Sequence, residues 1–316
     1  MKLSIIVPFY NVERYVEKCI NSCLNQDLST EDYEIIIIND GSQDKSGEIV
    51  ERIAKDNSNI CYLTQENKGL SYTRNRGLSL AKGDVVWFVD SDDWIEGNCV
   101  ASMLDAMQDA DILICTRMIP EGIWNTSPYF IPDNVDDIKG WFMCNSPSPA
   151  QFYMFKRLFL LENNLKFVEG RKHEDALFTP IALMTAKSVR FYRNPVYHFN
   201  KHEGSITTTV DPRRTEDYKY VIEQLFSYYK YRCPVELKYG LANRIANCIV
   251  AHMQLTLSCG DNCRDEANSF YKSHPELLAC LKHSIKKYTV ALYYILKCSP
   301  FSYIRTYKIL SKIRYS

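Results

Sequence analysis

The first 115 residues alternate between short, bulky apolar runs and segments in which apolar residues recur three and four positions apart. The runs predict strands at Leu3–Val7, Tyr33–Ile38, Ile60–Leu63, Val85–Val89 and Asp111–Cys115. Helices are predicted between them at Tyr15–Leu24, Ser46–Lys55, Leu70–Leu80 and Asn98–Gln108, the first capped by Asn11. Right-handed crossovers of this kind build a mostly parallel α/β sheet, whose ligands gather beyond the carboxyl ends of the strands.

The rest of the chain departs from this rhythm. Five prolines between residues 120 and 149 predict a long irregular excursion, after which a helix is expected near Gln151–Asn163. From Asp211 onward the pattern predicts mainly helices and no strand. The 316 residues are 46% apolar with 12 Gly and 12 Pro, which excludes collagenous, low-complexity and wholly disordered classes.

Location and redox state follow from composition. No apolar run approaches the roughly 18–20 residues that span a bilayer, and the start of the chain lacks a signal peptide pattern, so a cytoplasmic location is expected. The 12 cysteines are expected to be free thiols, since they are scattered and form no C-x-x-C pair.

Polar clusters follow predicted strands 1, 2 and 4, and all three are expected at one rim of the sheet. The third cluster, Asp90-Ser91-Asp92-Asp93, places three carboxylates in four residues. They would repel one another unless a cation neutralised them, and Mg²⁺ or Mn²⁺ suits carboxylate oxygens. The alternative is a solvated acidic turn that caps the next helix.

Two further positions have open alternatives. Asp40 either makes a turn with Gly41 or accepts a hydrogen bond from a ligand's ring N–H. Lys68 and Arg74 lie at the start of a predicted helix, where basic side chains and free backbone N–H groups could meet a phosphate. The alternative for Arg74 is a surface salt bridge.

The ordered motifs VPFYN, NDGS, NKGLSYTRNRG and FVDSDDW resemble those of family 2 glycosyltransferases, which have the GT-A fold. The similarity is close over residues 1–115 and looser to about residue 209. It implies an inverting enzyme that uses a nucleotide-diphosphate sugar, in a GT-A domain at 1–209 with a nucleotide-binding half at 1–115 and an acceptor-side half at 116–209. Residues 210–316 would form a separate helical region with a basic tail at 277–316.

The resemblance also implies roles for individual residues. Asp92 would bind the metal, with Asp90 near both ribose and metal. The nucleotide-sugar site would comprise Pro8, Tyr10, Asn11, Asp40, Lys68, Arg74, Asp90 and Ser91.

An inverting displacement needs a base that takes the proton of the acceptor hydroxyl. By similarity to the family's E-D pair, Asp175 is the predicted base and Glu174 would orient the acceptor; the alternative is a pair of carboxylates that stabilise a helix start. His198 and His202 are candidates for a third metal ligand or a phosphate donor, and His173 lies beside the E-D pair. Trp94 and Trp141 would either stack on sugar rings or pack in the core.

The zero net charge conceals two halves of opposite sign. Residues 1–140 carry 12 basic and 24 acidic side chains, and residues 141–316 carry 26 and 14, giving −12 and +12. No acidic residue follows Glu276, and basic and aromatic residues dominate the tail. Residues 284–316 are therefore expected either to lie on an anionic membrane surface or to pack against the catalytic domain or a second subunit, as in a homodimer.

The predicted function is transfer of a sugar, with UDP-sugars favoured, to a glycan or lipid-linked acceptor in surface polysaccharide assembly. Two alternatives remain: a non-catalytic nucleotide-sugar-binding scaffold, and a haloacid-dehalogenase-like phosphatase, which also places D-x-D at a strand end. A P-loop NTPase is disfavoured because no G-x-x-x-x-G-K-[ST] occurs. Apart from the charge of its tail the chain has no nucleic-acid-binding motif, and no nucleic-acid partner is expected.

Overall fold

A computed structural model describes residues 1–117, 140, 143, 148–200, 211–298 and 302–314. Contacts divide the chain into two compact units. The first comprises Met1–Asn134, Pro147–Gly170 and Thr185–His202, and the second comprises Val135–Ser146, Arg171–Met184 and Glu203–Ser316. This division differs from the predicted boundary near residue 209, because the segment with the E-D pair groups with the C-terminal helices. The predicted domains stay a prediction.

The first unit is built on a mixed sheet flanked by helices. Its described strands are β1 Leu3–Phe9, β2 Tyr33–Asn39, β3 Ile60–Thr64, β4 Val85–Phe88, β5 Trp94–Ile95, β6 Ile112–Arg117, β7 Tyr153–Lys156 and β8 Val189–His198. Its helices are α1 Val16–Leu24, α2 Ser46–Lys55, α3 Leu70–Leu80, α4 Val100–Met107 and α5 Arg157–Glu162. The spatial order of the strands is β3-β2-β1-β4-β7-β6-β8-β5.

The sheet is parallel where the sequence alternates between strand and helix. β1 pairs in parallel with β2 and β4, β2 with β3, and β6 with β8; β7 runs antiparallel between β4 and β6, and β5 is antiparallel to β8. Every residue of β1 and β2 is buried, which confirms that runs such as the four isoleucines 35–38 are covered on both faces. The α/β class with a GT-A-like fold is confirmed.

Two local predictions are wrong. The helix expected over Gln151–Asn163 is a short 3-10 turn, then strand β7, then helix α5. The apolar residues Tyr153, Met154 and Phe155 are almost fully buried in a strand between β4 and β6, so partners distant in the sequence override the local pattern. Asn11 does not cap α1, which begins at Val16; its own φ is +53° and its Oδ1 accepts a hydrogen bond from the Gln43 backbone N–H at 2.8 Å.

The second unit is mainly helical over its described residues, and the prediction of helices from Asp211 onward is confirmed. Its helices are α6 Glu174–Thr185, α7 Arg213–Tyr231, α8 Lys238–Ser258, α9 Asp261–Ser273, α10 Lys287–Cys298 and α11 Tyr303–Arg314, with 3-10 turns at Val235–Leu237 and Pro275–His283. The core centres on α8, where Leu241, Ile245, Ile249 and Met253 are fully buried along one helical stripe.

Within the described ranges, no helix is both long enough and apolar enough to cross a membrane. The eleven cysteines whose thiols are described are all free, as expected, and most of them are buried. The excursion predicted for residues 120–148 falls almost entirely outside the described residues, as do Trp141 and His202.

Candidate active site

The three polar clusters lie at one rim of the sheet, as the sequence predicts. Phe9 of β1 pairs with Asn39 of β2, and the backbone N–H of Asp40 donates to the Phe9 carbonyl at 2.9 Å. On the other side of β1, the N–H of Val89 donates to the Ile6 carbonyl at 3.0 Å, which places Asp90 beside the end of β1. The chain winds from β1 outward to β3 and then returns to β4, so the strand order reverses between β1 and β4. Such a reversal is where open α/β sheets bind ligands.

Pro8 occupies a central strand, where proline is normally excluded because it cannot donate to a ladder. The carbonyl of Ile6 faces β4 and that of Phe9 faces β2. Even-numbered residues of β1 therefore turn their backbone groups toward β4, and β4 pairs with β1 only as far as Ile6. The backbone position that lacks an N–H at Pro8 thus lies just beyond the last residue of β1 that pairs with β4. The proline therefore interrupts no pairing between these two strands.

Asp40 organises the loop that leads into α3. Its Oδ1 accepts hydrogen bonds from the Gln65 side chain at 2.7 Å and the Lys68 N–H at 2.9 Å, and its Oδ2 accepts one from the Gly69 N–H at 2.8 Å. The carboxylate is 4% exposed. The prediction that free N–H groups at this helix start await a phosphate is wrong for Lys68 and Gly69, because Asp40 holds both. A carboxylate has about four acceptor positions, so the predicted contact with a ring N–H remains stereochemically open.

Gly41 next to Asp40 permits this close packing of the two loops. Its φ is +81°, and a Cβ there would lie 2.9 Å from the Asn67 backbone nitrogen. A side chain would therefore be both strained and obstructed.

Arg74 forms a buried ion pair with the first carboxylate of the acidic cluster. Its Nη2 lies 2.6 Å from Asp90 Oδ1, and the two side chains are 3% and 24% exposed. The guanidinium also lies 5.1 Å from the centre of the Phe167 ring. The alternative of a surface salt bridge is wrong, because the second turn of α3 places Arg74 in the rim rather than in solvent. Arg74 therefore fixes the position of the Asp90 carboxylate and places a positive charge directly beside it.

Asp93, the third carboxylate of the cluster, is structural. It is 2% exposed, its Oδ2 accepts from the Tyr197 hydroxyl at 2.8 Å and its Oδ1 from the Asn200 N–H at 2.7 Å. The Tyr197 hydroxyl in turn accepts from the Asp90 N–H at 3.2 Å. Burial, and next the charges of Asp90 and Asp92, raise the pKa of Asp93 to about 8. These contacts tie the end of β8 to the cluster.

Asp92 is half-buried, between the buried Ser91 and Asp93. Among the described residues no group of three or more His, Cys, Asp or Glu forms a preassembled metal cage. Mg²⁺ and Mn²⁺ nevertheless suit this donor set, since such ions take one or two protein carboxylates and complete their shell with water and phosphate oxygens. The carboxylates of Asp92 and Asp90, the second of which is 24% exposed, fit an ion of this kind.

The remaining predicted donor-site residues differ in exposure. Pro8 and Ser91 are buried, whereas Tyr10, Asn11 and Lys68 are exposed. Tyr10 is 46% exposed directly after β1. The Lys68 ammonium lies 4.9 Å from the centre of the Tyr72 ring.

His198 lies at the far edge of the sheet. It pairs with Trp94 across β5 and β8, the two rings stack at 5.0 Å, and its Nε2 is 2.8 Å from Glu96 Oε1. The Lys18 ammonium lies 3.0 Å from the centre of the Trp94 ring, so the indole contacts both a histidine ring and a lysine. The metal-ligand role of His198 stays a prediction, and its Nε2 is already committed to Glu96.

The E-D pair lies in the second unit. α6 begins at Glu174, which is 8% exposed, and Asp175 is half-buried in the first turn. The pair thus occupies a helix start, the position that the alternative interpretation gives it, and the role of Asp175 as base stays a prediction. Its electrostatic surroundings include Tyr218, whose pKa is raised by burial and by the nearby Cys248 and Asp175.

Sequence reasoning missed the residues that support the site. Tyr197 binds two members of the acidic cluster from a strand about a hundred residues later, and Gln65 links Asp40 to α3 through Thr73. Neither Tyr197 nor Gln65 belongs to a sequence pattern that indicates a chemical role. Their supporting contacts become visible only in the folded structure.

Comparisons with known proteins agree with this geometry. The family model described as glycosyl transferase family 2 matches residues 4–166. The putative glycosyltransferase EpsH of Bacillus subtilis (strain 168) is 34% identical over 215 residues, which are 65% of this chain and 62% of EpsH. The chain therefore matches about three-fifths of the length of that relative.

Solved structures share the fold at low sequence identity. TarS 1–349 of S. aureus in complex with UDP-GlcNAc superposes with a TM-score of 0.76 at 20% identity, over 99% of this chain and 91% of that one. The mannosyltransferase PcManGT of Pyrobaculum calidifontis, in complex with GDP-Man and Mn²⁺, gives 0.58 at 15% identity, over 98% and 86%. Given the match to more than half of its residues, the chain belongs to glycosyl transferase family 2.

Proposed function

We propose that this protein transfers a sugar from a UDP-sugar to a glycan or lipid-linked acceptor with inversion, by metal-assisted single displacement. The observation that carries the proposal is the division of roles in the acidic cluster. Arg74 fixes Asp90, Tyr197 and Asn200 hold Asp93, and Asp92 lies half-exposed between them. Asp92 is thus a half-exposed carboxylate at the rim, and its neighbours Asp90 and Asp93 are held in place. This arrangement suits a small divalent ion that also binds a diphosphate.

Mn²⁺ or Mg²⁺ bound by Asp92 and Asp90 would offset the charge that develops on the departing nucleoside diphosphate. The residues of the chain perform the rest. Tyr10 presents an exposed ring for the base to pack on, Asp40 has acceptor capacity for a ring N–H, and Arg74 keeps Asp90 oriented.

Asp175 acts as the general base that takes the proton of the acceptor hydroxyl as it attacks the anomeric carbon. The position of Asp175 supports this role. Asp175 is half-buried in the first turn of α6, next to the buried Glu174, which can orient the acceptor. No covalent enzyme intermediate is required, because a single displacement inverts the anomeric centre. UDP is favoured as the nucleotide because TarS, of similar fold, is solved with UDP-GlcNAc. A role in surface polysaccharide assembly rests on the family resemblance.

The affinity of the purified protein for UDP, measured by calorimetry with and without Mn²⁺, tests this function. We expect UDP to bind at least about tenfold more tightly with Mn²⁺, since Asp92 and Asp90 would hold an ion that offsets the negative charge of the diphosphate. GDP under the same conditions is the matched comparison. Tight metal-dependent binding of GDP instead would redirect the donor assignment, and no binding of either nucleotide would contradict a transferase site.

The tail is proposed to place the enzyme at the inner face of the membrane, near a lipid-linked acceptor. In the described part of residues 284–316, α10 buries Thr289, Leu292 and Leu296 but turns Tyr294 and Ile295 to solvent, 57% and 38% exposed. Exposed lysines flank this face at positions 286, 287 and 297. An apolar solvent face with basic borders suits an anionic lipid surface, where each lysine contributes on the order of 1 kcal/mol.

Sedimentation with vesicles checks this contact. Wild-type protein is expected to sediment with vesicles of phosphatidylglycerol and phosphatidylcholine but not with phosphatidylcholine alone. Replacing both Tyr294 and Ile295 with Ser should weaken binding about tenfold, because two apolar side chains no longer enter the interface. Tyr231→Ser, which changes a 74% exposed tyrosine outside the tail, is the control. Unchanged binding by the double variant, or a dimer that it dissociates, would contradict a membrane contact and favour a protein partner.

A further inference from the structure

The segment just before the predicted base has an unfavourable backbone conformation. His173 has φ +63°, in the left-handed region that a residue with a Cβ seldom adopts, and α6 begins at the next residue. Such conformations persist when the surrounding contacts determine them, and they cluster at functional sites. The direction in which Asp175 leaves the first turn therefore depends on what holds His173.

The contacts that hold this segment come from α7 and from Asp211, two residues before it. Arg214 Nε donates to His173 Nε2 at 3.1 Å, and the His173 ring stacks on Tyr218 with 4.0 Å between ring centres. Arginine can only donate, so Nε2 is the acceptor and the proton of a neutral imidazole sits on Nδ1. Burial and the neighbouring charges of Arg214 and Lys172 lower the pKa of His173 to about 4, which keeps the ring neutral around pH 7.

The two residues before His173 are held in the same way. Asp217 accepts hydrogen bonds from the Lys172 N–H at 3.0 Å and from Arg171 Nη1 at 3.3 Å. Lys172 Nζ also lies 2.8 Å from Asp211 Oδ2. Arg214, Asp217 and Tyr218 are three and four positions apart, so they share one face of α7. That face is a continuous support for residues 171–173.

We propose that α7 is a positioning element for the catalytic base, in which Arg214 and Tyr218 hold His173 and thereby set the direction of Asp175. The proposal rests on the proposed function of Asp175. It assigns a role in the reaction to residues 211–218, which lie beyond the segment matched by the family model. A base must approach its proton to hydrogen-bond distance, so a displacement of about 1 Å can cost as much as 10²-fold in rate.

The test is the steady-state release of UDP, with Mn²⁺, from whichever of UDP-GlcNAc, UDP-glucose and UDP-galactose the wild-type protein hydrolyses fastest, with water as acceptor. Arg214→Met should lower kcat tenfold or more while KM for the donor stays within about twofold. Arg214→Lys should recover part of the loss. Arg232→Met is the matched control, since Arg232 is an exposed arginine directly after α7 whose Nη1 lies 3.4 Å from the Tyr228 hydroxyl; it should match wild type.

A double-mutant comparison distinguishes positioning from a general structural effect. In an Asp175→Asn background, Arg214→Met should lower kcat no further, because the group it positions is already disabled. The same fold-loss in both backgrounds, or an unchanged kcat for Arg214→Met alone, would overturn the proposal. His173→Asn is a second variant if Arg214→Met fails to fold: asparagine tolerates a left-handed φ but lacks the stacked ring, and it should show the same kcat loss. Full activity of Asp175→Asn would instead contradict the assignment of the base.

Discussion

Asp175→Asn is expected to lower sugar transfer by at least about 10²-fold while leaving UDP affinity within about twofold of wild type. The amide has nearly the shape of the carboxylate but cannot take a proton from the acceptor, and general-base catalysis typically contributes 10²–10⁴-fold. The measurement pairs transfer kinetics at saturating donor with calorimetry of UDP and Mn²⁺.

Asp265→Asn is the matched control for this substitution. Asp265 is an exposed carboxylate on α9 of the same unit, and its loss should leave both quantities unchanged. Near-normal transfer by the Asp175 variant would move the role of base to another residue. A parallel loss of UDP affinity would show that Asp175 serves donor binding instead.

Asp92→Ala should remove the gain in UDP affinity that Mn²⁺ provides, at least about tenfold, because even indirect partners of a metal typically account for 10–100-fold in affinity. UDP binding in the absence of metal should remain, since Tyr10 and Asp40 are untouched. Titrating UDP at several Mn²⁺ concentrations separates the two contributions.

The matched control is Asp84→Ala, an exposed carboxylate just before β4, at the opposite end of the strand that precedes Asp92. It should keep the full response to Mn²⁺. A retained Mn²⁺ response in Asp92→Ala would exclude Asp92 as a ligand. A melting temperature close to wild type is also expected for this variant, because Asp92 is half-exposed.

The sequence predicts most of the first unit because its signals are local. Apolar runs, crossover helices and polar strand ends each lie within ten or so residues, and parallel pairing then brings Asp40 and Asp90 to one rim without further information. β7 escapes prediction because its partners β4 and β6 are about 70 and 40 residues away, and a four-residue buried strand has no period of its own. The phosphatase alternative is excluded by membership of the glycosyltransferase family.

Roles within the acidic cluster were less predictable. Three carboxylates within four residues look alike in a sequence, yet one pairs with an arginine, one is buried against a tyrosine and one is half-exposed. Their partners come from α3 and from β8, so the difference exists only once the sheet has formed. The same holds for His173, whose conformation depends on a helix some forty residues further along the chain.

The buried pair of Arg74 and Asp90 has a consequence for how such a chain can evolve. Losing Asp90 would break the 2.6 Å ion pair of an arginine that is 2% exposed, a change that selection on folding alone would remove. Asp92 is half-exposed, so its replacement disturbs less of the buried interior. A gene duplicate freed from selection on transfer could therefore drift to a folded protein that still binds nucleotides, with Asp92 replaced and the Arg74–Asp90 pair intact.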